Sequence, residues 1–209
     1  MDAGRRVVLA STNPGKLREF QEMLAGLDWQ ILPLSALAIP DAAEEGASFV
    51  ENAILKARHA SAHAGLPAIA DDSGLEVDVL GGQPGIYSAR YAGPGATDQR
   101  NLQLLLERIT RTGAERPAAR FQCAIAWVNS TADPAPLIAT GTWEGYVISE
   151  PRGHNGFGYD PVFFVPMYGC TSAELPPEVK NRISHRGQAM AGLRRKLSSK
   201  FQSPAAVTA

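Results

Sequence analysis

Only two cysteines occur in 209 residues, and Cys123 and Cys170 stand too far apart in sequence to form a metal-ligand pattern. A disulfide-stapled scaffold is excluded, and a reducing, cytoplasmic setting is expected. Excess charge is also lacking. The formal net charge is −1, so no bulk basic field collects nucleic acid. No apolar run reaches the length of a membrane span. The one near the N-terminus, in MDAGRRVVLAST, is too short for a secretory core and passes straight into fold-like sequence. Repeats, low-complexity segments and long linkers are missing as well. What remains has ordinary apolar content and enough length for one large domain, or two intimate lobes, around a proper core.

Periodicity divides the chain into alternating elements. Arg6–Ala10 (RVVLA) is an apolar strand. From Lys16 to Leu27 the apolar positions Leu17, Phe20, Leu24 and Leu27 follow helical spacing. Trp29–Leu34 is a second strand, and the polar loop Asp41–Ala47 carries Glu44 and Glu45. A helix starts after Ser48, where Ser48 and Glu51 form a capping-box pattern, and Ala53, Ala57, Ala60 and Ala64 make its small inner face. Leu66–Ala70 is the next strand, and Thr97–Thr112 a helix with Leu102, Leu105, Leu106 and Ile109 inward. Arg120–Val128 and Leu137–Ile148 suit a hairpin, followed by a short strand, Val162–Val165, and a helix from near Ser184 to about Phe201. Helices alternating with strands in the first half and a hairpin in the second predict a mixed α/β fold rather than a clean doubly wound sheet. Residues 1–209 read as one domain, with residues 202–209 a frayed tail.

Chemistry concentrates in a few stretches. In ADDSGLEVDVLGGQPGIYSARYAG, Asp71 and Asp72 end an apolar run and Ser73-Gly74 follows as a turn. Paired carboxylates at a strand end suit a divalent metal or a general base, or merely cap a turn. Ser11-Thr12-Asn13-Pro14-Gly15-Lys16 joins a strand to a helix, so free backbone donors and the helix dipole meet a lysine there. This is an anion site or an ordinary N-cap; it is neither a Walker A nor a dinucleotide-binding glycine motif. Asn52, Lys56, His59 and His63 share a helix face, and Lys56 is placed to meet phosphates or the aspartates. In Arg152–Pro161, three glycines allow close backbone approach, and Phe157 and Tyr159 offer faces for stacking a base or plug the core. Lys180, His185 and Arg186 put positive donors around a helix start, against the dipole, and that local conflict points to function.

Together these segments resemble the inosine triphosphate pyrophosphatase family, the house-cleaning enzymes for non-canonical purine nucleotides. LASTNPGKLREF, SFVENAILKARHA, the Asp71-Asp72 stretch, GHNGFGYDPVFFVP and AEL…K…ISHRGQA occur in the family's order from Val7 to about Leu193. The resemblance implies a homodimer of mixed α/β chains, each with an elongated central sheet flanked by helices and two lobes enclosing a nucleotide cleft. It implies Mg²⁺-dependent hydrolysis between the α- and β-phosphates of ITP, dITP and XTP, giving monophosphate and pyrophosphate. By the same resemblance, Ser11, Thr12, Asn13, Pro14, Gly15 and Lys16 form the triphosphate loop, Glu44 and Asp72 the metal carboxylates, and Asp72 the proton acceptor; Lys56, from its place at mid-helix, is read as catalytic beside it. Ser73 contacts substrate. Phe157, Gly158, Tyr159, Asp160, Lys180, His185 and Arg186 form the base-side pocket.

The residues themselves support that chemistry. A triphosphate needs charge balance, and Lys16, Lys56 and Mg²⁺ supply it. Successive strand residues point to opposite faces, so Asp71 and Asp72 are expected to act differently. Which carboxylate is base and which is ligand stays open at this level. Two other readings are a pyrophosphatase for modified nucleotides of the Maf-like kind and a nucleotide sensor without turnover. The Phe157–Asp160 and Ser184–Arg186 stretches oppose the first, and the joint presence of Asp72, Lys16 and Lys56 opposes the second.

Overall fold

The computed structural model describes residues 5–25 and 27–202. Its centre is a seven-stranded sheet in the order β2-β1-β3-β4-β5-β6-β7. The strands are β1 (Arg5–Leu9), β2 (Trp29–Pro33), β3 (Ala68–Val77), β4 (Ala118–Val128), β5 (Leu137–Val147), β6 (Phe163–Val165) and β7 (Cys170–Thr171). β1 runs parallel to β2 and β3, and every later pairing is antiparallel. β3 is therefore the strand at which the sheet changes sense. The expected mixed fold is present, as is the β4–β5 hairpin.

Alternation along β1 and β3 explains how both faces are covered. Val7, Leu9 and Ile69 join Phe20 and Leu24 of α1 (Pro14–Leu24) and Met190 and Leu193 of α5 (His185–Gln202) on one face. Val8, Ala10, Ala68 and Ala70 lie on the other, under Ala53, Ala57 and Ala60 of α2 (Phe49–Ala64). Alanine on both surfaces lets α2 approach the sheet closely. A third core, Leu75, Val77, Leu105, Ile109, Phe121, Trp143 and Phe163, binds α3 (Asp98–Thr112) to the antiparallel end.

Three expectations are corrected, and two elements are added. Asp71–Gly74 is not a turn: β3 runs unbroken through it, paired with β4 from Ala68↔Val128 to Val77↔Ala119. Gly74 is there because a β-carbon would sit 2.2 Å from the Gly85 carbonyl oxygen, not because the chain reverses. The helix expected up to Leu27 stops at Leu24, where the Ala25 amide donates to the Glu22 carbonyl. The Ser48 cap is half a box: Ser48 Oγ accepts from the Glu51 amide, but Glu51 reaches the Ala47 amide instead of that of Ser48. Finally, α4 (Pro177–Ile183) and β7 carry too few residues for periodicity to reveal them. Of the tail expected to fray, residues 203–209 lie outside the described residues.

Candidate active site

Unbroken extension of β3 puts its two aspartates on opposite faces. Asp71 continues the side of Ile69, towards α1 and α5. Asp72 continues the side of Ala68 and Ala70, under α2. Each heads its own chain of ion pairs.

The Asp71 chain is buried. Lys16 Nζ lies 3.0 Å from Asp71 Oδ2, and Arg186 Nη2 lies 3.1 Å from the same oxygen. Arg186 Nη1 also donates to Glu19, and Glu19 Oε1 accepts from Lys180 Nζ at 2.8 Å. Lys180 ends the chain on Asp160 Oδ2 at 2.6 Å. Burial works to raise the Asp71 carboxyl, but Lys16 and Arg186 outweigh it and hold it well below the usual carboxylate range. Burial likewise opposes charge on Lys180, and the carboxylates of Asp160 and Glu19 override it and raise its pKa. α1, α4, α5 and the loop before β6 are thereby joined through charges that water scarcely reaches.

The Asp72 chain is wetter. Lys56 Nζ sits 2.8 Å from Asp72 Oδ1 and 2.9 Å from Glu44 Oε1. Glu44 Oε2 accepts from Arg90 Nη1. Asn52, fully buried, donates to Asp72 Oδ2 at 3.1 Å and accepts from the Gly46 amide at 2.8 Å, tying the Glu44 loop to the strand. Burial raises the Asp72 carboxyl above its ordinary value, with the Lys56 ammonium opposing. Lys56 itself is held charged: burial would lower its pKa, but Asp72 and its acidic neighbours raise it. A carboxylate made less comfortable in its ionised form, beside a permanent cation, is the condition of a general base.

The N-terminus of α1 supplies the third component. Asn13 caps it by accepting from the Lys16 amide at 3.0 Å, and Pro14 takes the first helical position, where its missing amide costs nothing. Ser11 accepts from the Asn13 amide, and Thr12 donates to Asp41. Gly15 is there because the Phe157 ring crosses from the other end of the sheet and would lie 2.4 Å from any β-carbon. Phe157 also covers Lys180 and Arg186, which sit 5.1 and 5.7 Å from its centroid. Asn13, Lys16, Glu44, Asp72, Ser73, Phe157, Lys180, His185 and Arg186 all border one partly open cavity of about 90 Å³. Gly158, Tyr159 and Asp160 line it too.

Three base-side residues behave differently from expectation. Tyr159 is core: its ring is buried and its hydroxyl donates to the Ser88 carbonyl, so it offers no open stacking face. Arg186 donates four of its five N–H groups to Asp71, Glu19 and Ser73 while bordering the cavity, so it braces the site as well as facing it. His185 stacks on Phe121, with centroids 4.7 Å apart, and its Nδ1 has no hydrogen-bond partner among the described residues. Burial, reinforced by Arg186, holds its pKa well below 6.5, so the imidazole is neutral. A neutral His185, and an Arg186 whose charge is met by Asp71 and Glu19, reduce the conflict with the helix dipole.

Glu44 and Asp72 present hard oxygens whose remaining lone pairs Lys56, Arg90 and Asn52 do not exhaust. Among the described residues no three His, Cys, Asp or Glu side chains converge into a metal cluster. Mg²⁺ asks for less: one or two carboxylates, with water and phosphate oxygens completing its shell. The donor set fits that ion.

Two participants escaped sequence reasoning. Glu19 has a weak signal: it falls three residues after Lys16, on the inward side of α1 beside Phe20. Arg90 has none, because the short turn Gly85–Arg90 that delivers it has no periodicity.

A strand-centred carboxylate pair, a lysine between two acids and a capped helix start across a cavity define a phosphate-handling hydrolase class. A family model described as the Ham1 family matches residues 7–196, and the chain belongs to that family. It is 57% identical over 193 residues to a dITP/XTP pyrophosphatase of Methylococcus capsulatus, covering 92% of this chain and 96% of that one. It is 55% identical over 185 residues to a dITP/XTP pyrophosphatase of Thioalkalivibrio sulfidiphilus, covering 88% and 94%. The solved structure of a HAM1 protein from Coxiella burnetii superposes with a TM-score of 0.86 at 50% identity, covering 93% and 99% of the two chains.

Proposed function

We propose that this chain is a dITP/XTP pyrophosphatase, a hydrolase that splits non-canonical purine nucleoside triphosphates, ITP included, into monophosphate and pyrophosphate. The observation that carries it is Asp72: a buried carboxylate, raised in pKa, touching a charged Lys56 on the wall of the cavity that Lys16 also borders. Lys16 and the start of α1 receive the outer phosphates. Asp72 accepts a proton from the attacking water as that oxygen bonds to the α-phosphorus. The bond from the α-phosphorus to the bridging oxygen breaks, and pyrophosphate leaves in line. Lys56 keeps its proton and balances phosphate charge. Glu44 and Asp72 would hold Mg²⁺, which when bound would add to the neutralisation of the phosphate oxygens.

A cavity of about 90 Å³ is well below the roughly 300 Å³ at which ligand pockets begin. Binding a nucleotide there therefore requires the site to open, and Phe157, on that cavity's wall, is placed to meet the base. The assembly belonging to this reading is a homodimer, which sedimentation of the purified protein tests. No helix among the described residues is long and apolar enough to cross a membrane.

Pyrophosphate release from ITP, dITP, XTP, ATP and dTTP, with Mg²⁺ and with EDTA, tests the function. Turnover of the first three with Mg²⁺, and little of the last two, is expected. Comparable turnover of ATP would overturn the substrate assignment, and full activity in EDTA would remove the metal.

A further inference from the structure

The Asp72 chain closes on itself electrically. Two carboxylates, Glu44 and Asp72, face two cations, Lys56 and Arg90, and each Glu44 oxygen is already engaged by one of them. The neighbouring chain is balanced too, with Asp71, Glu19 and Asp160 against Lys16, Arg186 and Lys180. The other acids of the Glu44 loop, Asp41 and Glu45, are exposed. Protein sites that hold a hard divalent cation unaided set their affinity by the number of charged ligands and by rigidity. Here rigidity is present, through Asn52 and Arg90, and net negative charge is not.

We infer that Arg90, with Lys56, keeps the Glu44–Asp72 pair neutral, so that a divalent ion is held together with a polyphosphate and not by the free protein. Arg90 is then a positioning residue of two effects. Its Nη1 and Nη2 both reach Glu44, at the carboxylate and at the carbonyl, and fix the loop; its charge competes with the ion for the same carboxylate. The arriving triphosphate supplies the missing negative charge. The inference rests on the assignment of Glu44 and Asp72 as the ion's carboxylates.

Mn²⁺ serves as the probe, being divalent and oxygen-seeking like Mg²⁺. Free Mn²⁺ is followed by its paramagnetic resonance while the full chain is titrated without nucleotide. The wild-type protein should bind no tighter than about 1 mM, and a non-hydrolysable ITP analogue should produce a ternary complex. Arg90 is about one-third exposed, so Arg90→Gln is expected to fold. Removing one positive charge a few ångströms from the site should strengthen nucleotide-free Mn²⁺ binding by roughly tenfold or more. Adding Glu44→Gln should cancel the gain. Micromolar Mn²⁺ binding by the wild-type protein alone overturns the inference whatever Arg90→Gln does, and so does unchanged affinity in Arg90→Gln. A gain that survives Glu44→Gln overturns it differently, by showing that the ion's carboxylates were misassigned.

Discussion

Asp71 and Asp72 are consecutive residues of one strand, both almost entirely buried, yet their surroundings drive them in opposite directions. Asp71 meets two cations on one oxygen and its pKa falls; Asp72 shares one lysine with Glu44 and its pKa rises. The sign of each shift states what the charge does for folding. A depressed carboxyl adds stability at neutral pH that is lost as pH falls from the unfolded value of about 4 through the folded one. A raised carboxyl adds none at neutral pH; its ionised form is tolerated there at a cost. On the proposed mechanism the first is scaffold and the second is reactive group, and nothing in their side chains distinguishes them.

The largest effect should come from breaking the reactive member. Asp72→Asn should lower kcat by ~10²–10⁴-fold, the usual contribution of a general base. Its urea midpoint should stay close to wild type, because the charge removed was unfavourable to begin with. A variant with near wild-type turnover at saturating Mg²⁺ would strip Asp72 of its role.

Next is the scaffold member. Asp71→Asn leaves Arg186 and Lys16 without their shared counter-charge, and breaking one partner of a buried pair costs about 3–5 kcal/mol. Chemical denaturation measures this. Loss of activity with undiminished stability would mean that the two aspartates have been assigned the wrong way round.

Lys16 stands between the two regions, paired with Asp71 and bordering the cavity. Lys16→Ala should weaken a non-hydrolysable ITP analogue by ~1.5–3 kcal/mol, the value of a charge-assisted contact, and IMP by less. Calorimetric titration of both ligands decides it: equal losses would remove Lys16 from the outer phosphates.

The smallest effect sharpens the contrast through a third buried group. His185 is held neutral in the fold, so below about pH 6.5 the unfolded chain takes up a proton that the folded one refuses. Stability should fall with pH in that range, by a slope worth one proton, and His185→Asn should flatten it. Parallel stability–pH curves for the two proteins would show that His185 is protonated in the native state.

Much of this site could be read before any coordinates. Lys56, Asp72, Lys16 and the loop around Phe157 occur in stretches whose composition is unusual, and helical spacing put Asn52 and Lys56 on one face. The turn at Ser73-Gly74 was misjudged because glycine after serine carries the composition of a turn, while its actual cause, the close approach of Gly85 and Ser88, comes from residues distant in sequence. The ion pairs of Arg186 are hidden from the sequence for a related reason. A guanidinium is identified by what it faces, and Glu19 and Asp71 lie more than a hundred residues away. Pairings of that range exist only once the sheet has formed.

The unbroken pairing of β3 with β4 fixes which aspartate faces which side. Inserting or deleting one residue before Asp71 would leave both carboxylates in place in the sequence and exchange their faces. The acid suited to Lys56 would then point at Arg186, and the one suited to Arg186 at Lys56. The number of residues in this strand thus matters as much as the identity of its two aspartates. Variants that survive should accept substitutions elsewhere along β3 far more readily than any change in the number of its residues.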